Sequence, residues 1–434
     1  MRWLIQGGRV IDPSQGLDEE LDLLIEGDRV RALAAGLANH VEGSFDRRVD
    51  ARGLWVAPGF VDLHVHFRDP GDPQKEDISS GLAAAAAGGF TTVCSMPNTK
   101  PVSDTALWIE RALALAKAAK SVRLRPFAAI TRGLEGETLA DFASLREAGA
   151  FGISDDGRCV LNAALMRRAM EYARQFDLFV SQHAEDHHLT QGAQMHEGVI
   201  SARLGLRGWP REAEDIIVAR DLILAEATGA RYHVAHISSL GSVRLLREAK
   251  ARGLRVSAEV TPHHLLLTDA ALLGYNTACK VNPPLRTEED REALLEALRD
   301  GTIDCIATDH APHTRRDKDC EFDKAALGIN GLESAFALLL DLVHQGKLSA
   351  SRLIEAMSTA PTRLMQESRG GSLKEGSIAD LVLIDPEVEW TLQADALRSR
   401  SSNSPWLGQG LRGAVLATFV AGRLVHQRSE LPLV

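Results

Sequence analysis

Between residue 56 and residue 365 the chain alternates apolar, strand-like runs with helical stretches, and no other feature restricts its possible folds as much. The runs are GFVDLHV, TTVCSMP, RLRPFAAI, AFGISDD, LFVSQHA, RYHVAHI, RVSAEVTP and DCIATDH, eight in all. Between them lie EDISSGLAAAAAGG, TALWIERALALAKAAK, AALMRRAMEYARQF, EAEDIIVARDLILAEATG, GSVRLLREAKARG and REALLEALRDG, several of which stop at Gly, where helices commonly end. Repeated strand-then-helix units predict an α/β chain with a parallel sheet. Eight such units point to a (β/α)8 barrel of TIM type, with a doubly wound open sheet as the structural alternative.

The ends of the chain read differently. Residues 1–55 break into short strands, RWLIQGGRVID and DLLIEGDRVRALAAG among them, with Gly-Gly, Glu-Gly-Asp and Ala-Arg-Gly where hairpin turns are expected. The segment 366–434 repeats that style in SIADLVLIDP and AVLATFVAGRLVH. Both termini are therefore expected to pair into one small β-sandwich domain beside a barrel over 56–365. A length of 434 residues leaves room for both.

The net charge is −10, from 59 acidic against 49 basic residues, and no Lys/Arg-rich block tracks a phosphate backbone, so nucleic acid is not an expected partner. A small anionic substrate would have to be held by local arginines against that overall field. Cys94, Cys159, Cys279, Cys305 and Cys320 are odd in number and lack C-x-x-C spacing, which argues for inert thiols in a reducing compartment. The opening MRWLIQGGRVID has no signal-like apolar segment, and no run of about 18 apolar residues spans a bilayer. A cytoplasmic location without a membrane partner is expected.

In a barrel the C-terminal strand ends form the active face. Strand one ends in His64-Val-His66-Phe-Arg68, strand two leads to Asn98, strand four to Asp155-Asp156, strand five to His183, strand six to His233-Val-Ala-His236 and strand eight to Asp309-His310. Alternate residues of a strand share a face, so His64 and His66 are expected to point the same way. Four imidazoles and two carboxylates exceed the needs of one tetrahedral zinc and fit a two-metal site with a bridging carboxylate, Asp156. Such a site activates water and polarises a carbonyl, which implies hydrolysis of an acyl or amide centre.

FVDLHVHFRDPG, GGFTTVCSMPNT, SDDG, AEVTPHHLLL, VNPPLR and IATDHAPH together resemble the amidohydrolase superfamily, and within it bacterial dihydroorotases of the long, class I type. The resemblance spans nearly the whole chain. It implies that His64, His66 and Asp309 bind one Zn2+, that His183 and His236 bind a second, partly filled one, and that Asp156 bridges them. The SDDG segment carries no Lys, unlike hydantoinase-like relatives that use a carboxylated lysine. The implied reaction is the reversible closure of N-carbamoyl-L-aspartate to L-dihydroorotate in pyrimidine (UMP) biosynthesis, with a metal-bound hydroxide as nucleophile and Asp309 as catalytic proton shuttle. Arg68, Asn98 and His313, beside His66, would hold the substrate carboxylate, and Asn282 and the Leu327-Gly328 backbone the ring. The polar segment from His313 to Gly328 is a candidate lid. His187, His188, His196, His233, His263, His264 and His310 are read as structural histidines. Asp155 is expected to face away from the metals. Rival readings are an allantoinase or hydantoinase, and an inactive scaffold for aspartate transcarbamoylase; a homo-oligomer or a complex with that enzyme is expected.

Overall fold

The computed structural model describes residues 1–39, 44–366, 370–428 and 431–432. Parts of the expected terminal segments, 40–43 in the first and 367–369, 429–430 and 433–434 in the last, lie outside the described residues. The chain is a mixed α/β protein.

Every strand-like run of the middle region contributes parallel strands. Phe60–Val65, Phe90–Ser95 and Arg123–Leu124 form one sheet, and Phe127–Ala128, Gly152–Ile153, Phe179–Gln182, Arg231–Val234, Val256–Val260 and Cys305–Ile306 form another, in that spatial order. One run, RLRPFAAI, is split between the two sheets. Pro126 has no N–H to give to the ladder, so the run divides at Arg125-Pro126. At the far side Val65 pairs in parallel with His310, and His66 N donates to His310 O at 2.8 Å.

Helices Ile78–Ala87, Ala106–Ala119, Ala163–Gln175, Glu212–Thr228, Leu240–Ala251 and Glu288–Arg299 fall on the six helical stretches read from sequence. Phe60–Val65 is buried at every position, as expected of strands covered on both faces. Phe127, Phe151 and Phe179 meet with ring centroids 5.3 and 5.4 Å apart. With Val61, Leu63 and Cys305 they form an apolar cluster among the strands.

The termini share an eight-stranded sheet. Its order is Arg423–Gln427, Gly410–Val420, Leu381–Thr391, Trp55–Pro58, Arg2–Asp12, Leu17–Glu26 and Arg29–Ala34, with Arg47–Asp50 also paired to Arg2–Asp12. Trp3 from the first strand packs edge-on against Phe419 from the end of the chain, centroids 5.1 Å apart, inside a core common to both termini. Two of the three expected hairpin turns are something else. Gly7-Gly8 is a bulge inside Arg2–Asp12, where Gly7 adopts φ 66° and its N–H donates to Asp22 Oδ1. Ala51-Arg52-Gly53 joins two strands that both run parallel to Arg2–Asp12, which a hairpin cannot do. Glu26-Gly27-Asp28 does close a hairpin.

Among the described residues, no helix is long and apolar enough to cross a membrane.

Candidate metal centre

His64 lies in Phe60–Val65, and His66, Asn98, Asp156, His183, His236 and Asp309 each follow the C-terminal end of a parallel strand within a few residues. The structure brings all of them together. Asp156 Oδ1 has His64 Nε2 at 3.3 Å, His236 Nε2 at 3.5 Å and His183 Nδ1 at 3.8 Å, yet it takes part in no hydrogen bond. Asp309 Oδ1 lies 3.1 Å from His66 Nε2 and 3.6 Å from His64 Nε2. His64, Asp156 and His236 form one group able to hold a metal, and His64, His66 and Asp309 another. The four imidazoles and two carboxylates are all buried.

Their electrostatics favour a cation. Burial opposes charge on His64, yet Asp156 and Glu259 push its pKa well above the ordinary value. Burial and the Arg68 charge push His66 below its ordinary value, leaving a neutral ring with a lone pair to offer. Burial would raise the carboxyls, but the imidazoles hold Asp156 and Asp309 well below the carboxylate range, so both are ionised. Orphaned imidazole nitrogen and carboxylate oxygen atoms in a buried cluster are the donor set of a divalent ion.

The backbone is strained where the chemistry is placed. Arg68, His236 and Asp309 adopt φ of 55°, 32° and 45°, left-handed values that non-glycine residues rarely take.

His66, Asn98, Asp156, His183, His236 and Asp309 open onto a cavity of ≈ 170 Å³ that is also lined by Arg68, Asn282, Ala311, Leu327 and Gly328. Arg68 Nε donates to Pro312 O at 3.3 Å. His313 stands 3.4 Å from Arg68 Nη2, and its Nε2 lies 2.9 Å from Leu327 O. Burial, Arg68 and Lys75 push the His313 imidazole down to about 3, so the neutral ring donates Nε2–H to Leu327 and accepts from Lys75 at Nδ1. Asn98 lies between two candidate ligands, its Oδ1 3.0 Å from His66 Nδ1 and its Nδ2 donating to Asp156 Oδ2 at 3.0 Å. Gly328 sits at φ 144°, where a Cβ would meet Ala311 O at 2.9 Å. Its N–H donates to Lys280 O, so its contribution to the cavity is chiefly the absence of a side chain.

Asp155 turns away from the cluster and accepts from the Ile130 and Thr131 amides. His310 faces Glu76, His264 bonds Thr261 and Pro283, and His187 bonds Glu185. Cys94, Cys159, Cys279 and Cys305 are buried, and burial pushes Cys159 up to about 12. Sequence reasoning missed two carboxylates. Glu259 Oε1 accepts from His64 Nδ1 at 2.7 Å, which turns His64 Nε2 toward Asp156 and Asp309. Glu185 Oε2 accepts from His183 Nε2 at 2.9 Å and from Asn282 Nδ2 at 3.0 Å. Such carboxylate partners orient imidazole ligands and raise their basicity. An acid two residues after His183 was a visible signal for Glu185; Glu259 gave none.

The 313–328 segment is tied down by two lysines. Lys318 Nζ donates to Thr277 O, Lys280 O and Ala326 O, and Lys280 Nζ donates to Gln194 Oε1, Phe322 O and Asp323 O.

A family model described as Dihydro-orotase-like matches residues 53–242. Over the full length, the curated dihydroorotase of Pelobacter propionicus is 52% identical, covering 99% of this chain and 100% of its own. The chain belongs to the dihydroorotase family. A second dihydroorotase, from Anaeromyxobacter dehalogenans, is 51% identical over 98% of each chain. Among solved structures, an L-hydantoinase from Arthrobacter aurescens superposes with a TM-score of 0.88 at 26% identity, covering 99% of this chain and 97% of that one. A dihydropyrimidinase from Brevibacillus agri shares the fold, with a TM-score of 0.82 at 22% identity over 100% and 96% of the two chains. This chain thus shares an architecture with a hydantoinase and a dihydropyrimidinase while its sequence stands far nearer to the two dihydroorotases.

Proposed function

We propose that the chain is a dihydroorotase, a cyclic amide hydrolase that interconverts N-carbamoyl-L-aspartate and L-dihydroorotate in pyrimidine biosynthesis. The observation that carries the reading is the convergence of four imidazoles on Asp156 and Asp309, with Arg68 opening onto the same cavity. Full-length identity of about one half to curated dihydroorotases supports the substrate.

His64, His66 and Asp309 would hold one divalent ion, His183 and His236 a second, and Asp156 would bridge them. Zinc suits these ligands, and manganese or cobalt would be accepted by the same donors. A divalent ion held by these residues would supply water activation and polarisation of the ring amide carbonyl. In the hydrolytic direction ionised Asp309 takes the proton of the attacking water and passes it to the leaving ring nitrogen. In the closing direction Asp309 takes the proton from the attacking nitrogen and gives it to the departing oxygen, which leaves as water. Arg68 receives the substrate carboxylate with the planar fork that suits it, His313 beside it joins by turning its Nε2–H from Leu327 O to the carboxylate, and Asn98 joins them from between His66 and Asp156. Asn282 and the Leu327-Gly328 wall bound the ring.

The pairing of Val65 with His310 supports reading the two parallel sheets as one closed (β/α)8 barrel over 56–365, with a β-sandwich domain from 1–55 and 366–434. A cytoplasmic homo-oligomer, alone or with aspartate transcarbamoylase, is the working state we assign.

The test is turnover of the zinc-loaded chain with N-carbamoyl-L-aspartate at mildly acidic pH and L-dihydroorotate at alkaline pH, since closure takes up a proton. Turnover in both directions, abolished by a chelator, is expected. Turnover of a hydantoin or allantoin but of neither named substrate would overturn the assignment. Activity only after addition of aspartate transcarbamoylase would establish that enzyme as a required partner.

A further inference from the structure

The C-terminal segment, which sequence reading left without chemistry, reaches the candidate site. After Leu381–Thr391 and the turn Ala394–Ala396, the chain leaves the eight-stranded sheet and crosses to the C-terminal ends of the parallel strands. Its backbone is fixed there. Glu333 accepts from the Arg398 and Ser399 amides, Glu76 from the Arg400 amide, and Ser401 Oγ donates to Lys75 O. The Asn330 amide N donates to Asn403 O at 2.9 Å.

The buried Asn403 side chain then uses its full donor capacity on the walls of the cavity. Its Oδ1 accepts from His313 N at 2.9 Å, and its Nδ2 donates to Ala311 O at 3.0 Å and Gly328 O at 3.1 Å. Only an amide offers one acceptor and two donors in this arrangement. A carboxylate in its place would set oxygen against two carbonyls, and an aliphatic side chain would leave three buried backbone groups unpaired. Two of the partners, Ala311 and His313, lie two and four residues past Asp309 where the 313–328 segment begins, and the third, Gly328, is the glycine wall at its end. Holding the His313 amide fixes where that imidazole stands beside Arg68, and holding Gly328 O fixes the opposite wall.

We infer that Asn403 is a positioning residue for substrate binding, tying together from the C-terminal segment the two walls between which the substrate's carboxylate and ring are held. The inference rests on the dihydroorotase reading above. It separates substrate grip, which Asn403 sets, from metal binding, which it does not touch.

The zinc-loaded full chain is compared with Asn403→Ala and Asn403→Ser, the latter keeping one small polar group and serving alone if the alanine variant does not fold. KM for L-dihydroorotate is expected to rise about tenfold, the worth of a lost buried hydrogen bond, with kcat within about threefold. Zinc content is expected to stay at the wild-type level. In a double-mutant cycle with His313→Ala, the KM effects are expected to fall short of additive, which a general loss of stability would not produce. Amide exchange read by mass spectrometry on peptides covering 311–330 is expected to accelerate in the Asn403 variants while peptides from Phe60–Val65 do not change. An unchanged KM, fully additive effects, or a parallel loss of zinc overturns the inference. If the wild type turns over neither substrate, the functional reading falls, and the exchange measurement still decides the tie, with unchanged exchange at 311–330 refuting it.

Discussion

Glu259→Gln isolates how the protein prepares its metal site. Glu259 lies inside Val256–Val260, fully buried, and accepts from His64 Nδ1 at 2.7 Å while its other oxygen stands 3.2 Å from His233 Nε2. Burial would raise this carboxyl, but the charge on His64, the hydrogen bond from its Nδ1 and the neighbouring His233 imidazole hold it down to about 2, so it is ionised at neutral pH. Glutamine has the same shape. Its carbonyl can still accept from His64, and its NH2 can donate to His233 Nε2 when that ring carries its proton on Nδ1 toward Ser257, so the packing survives and the charge is what is lost. A charge-assisted hydrogen bond is worth about 1.5–3 kcal/mol, and each 1.4 kcal/mol is a factor of ten in affinity, so zinc should bind about 10- to 100-fold more weakly. The assay is competition between the folded protein and a chromophoric chelator, with circular dichroism to verify the fold. Zinc affinity within twofold of wild type in a folded Glu259→Gln protein would refute the reasoning, because His64 would then need no carboxylate behind it.

Three further outcomes are expected. Asp309→Asn, which cannot take up the proton, should lower kcat by about 10²–10⁴ in both directions, measured on samples of matched metal content. Arg68→Lys replaces a planar fork with a point charge and should raise KM for both substrates by about tenfold, read by steady-state kinetics. For His313 the sign follows from its depressed pKa. The unfolded chain takes up this proton near about 6.5 and the folded chain only near about 3, so the native state loses stability as pH falls between these values. His313→Gln should therefore flatten urea-measured stability between pH 7 and pH 4, and an unchanged slope would contradict the buried neutral ring.

Much of the site could be read from sequence because its residues stand at equivalent places in repeated units. His64, His66, Asp156, His183, His236 and Asp309 all occur at or just past strand ends, where period and chemistry coincide. Glu259 escaped because it is one acid within an otherwise apolar strand, and nothing local indicates that its side chain reaches across to His64. Asn403 escaped because its partners lie 75 to 92 residues away and a lone Asn in a Ser-rich stretch reads as a turn. The Gly7-Gly8 bulge reads as a hairpin turn in the sequence because both use a left-handed glycine, and only the pairing of both halves of Arg2–Asp12 with Leu17–Glu26 separates them. Pro126 was visible, but its effect on the ladder depends on which neighbour would have received the missing N–H.

The sheet shared by the two termini has a consequence for how the protein is made. Trp55–Pro58 cannot acquire its antiparallel neighbour Leu381–Thr391 until about 320 further residues have left the ribosome. At synthesis rates of about 5–20 residues per second, that strand edge waits roughly 15 to 65 seconds. During that interval a nascent chain carries an open β edge of the kind that pairs with other chains. C-terminal truncations should therefore aggregate rather than yield a working barrel, even though every candidate metal ligand precedes residue 310.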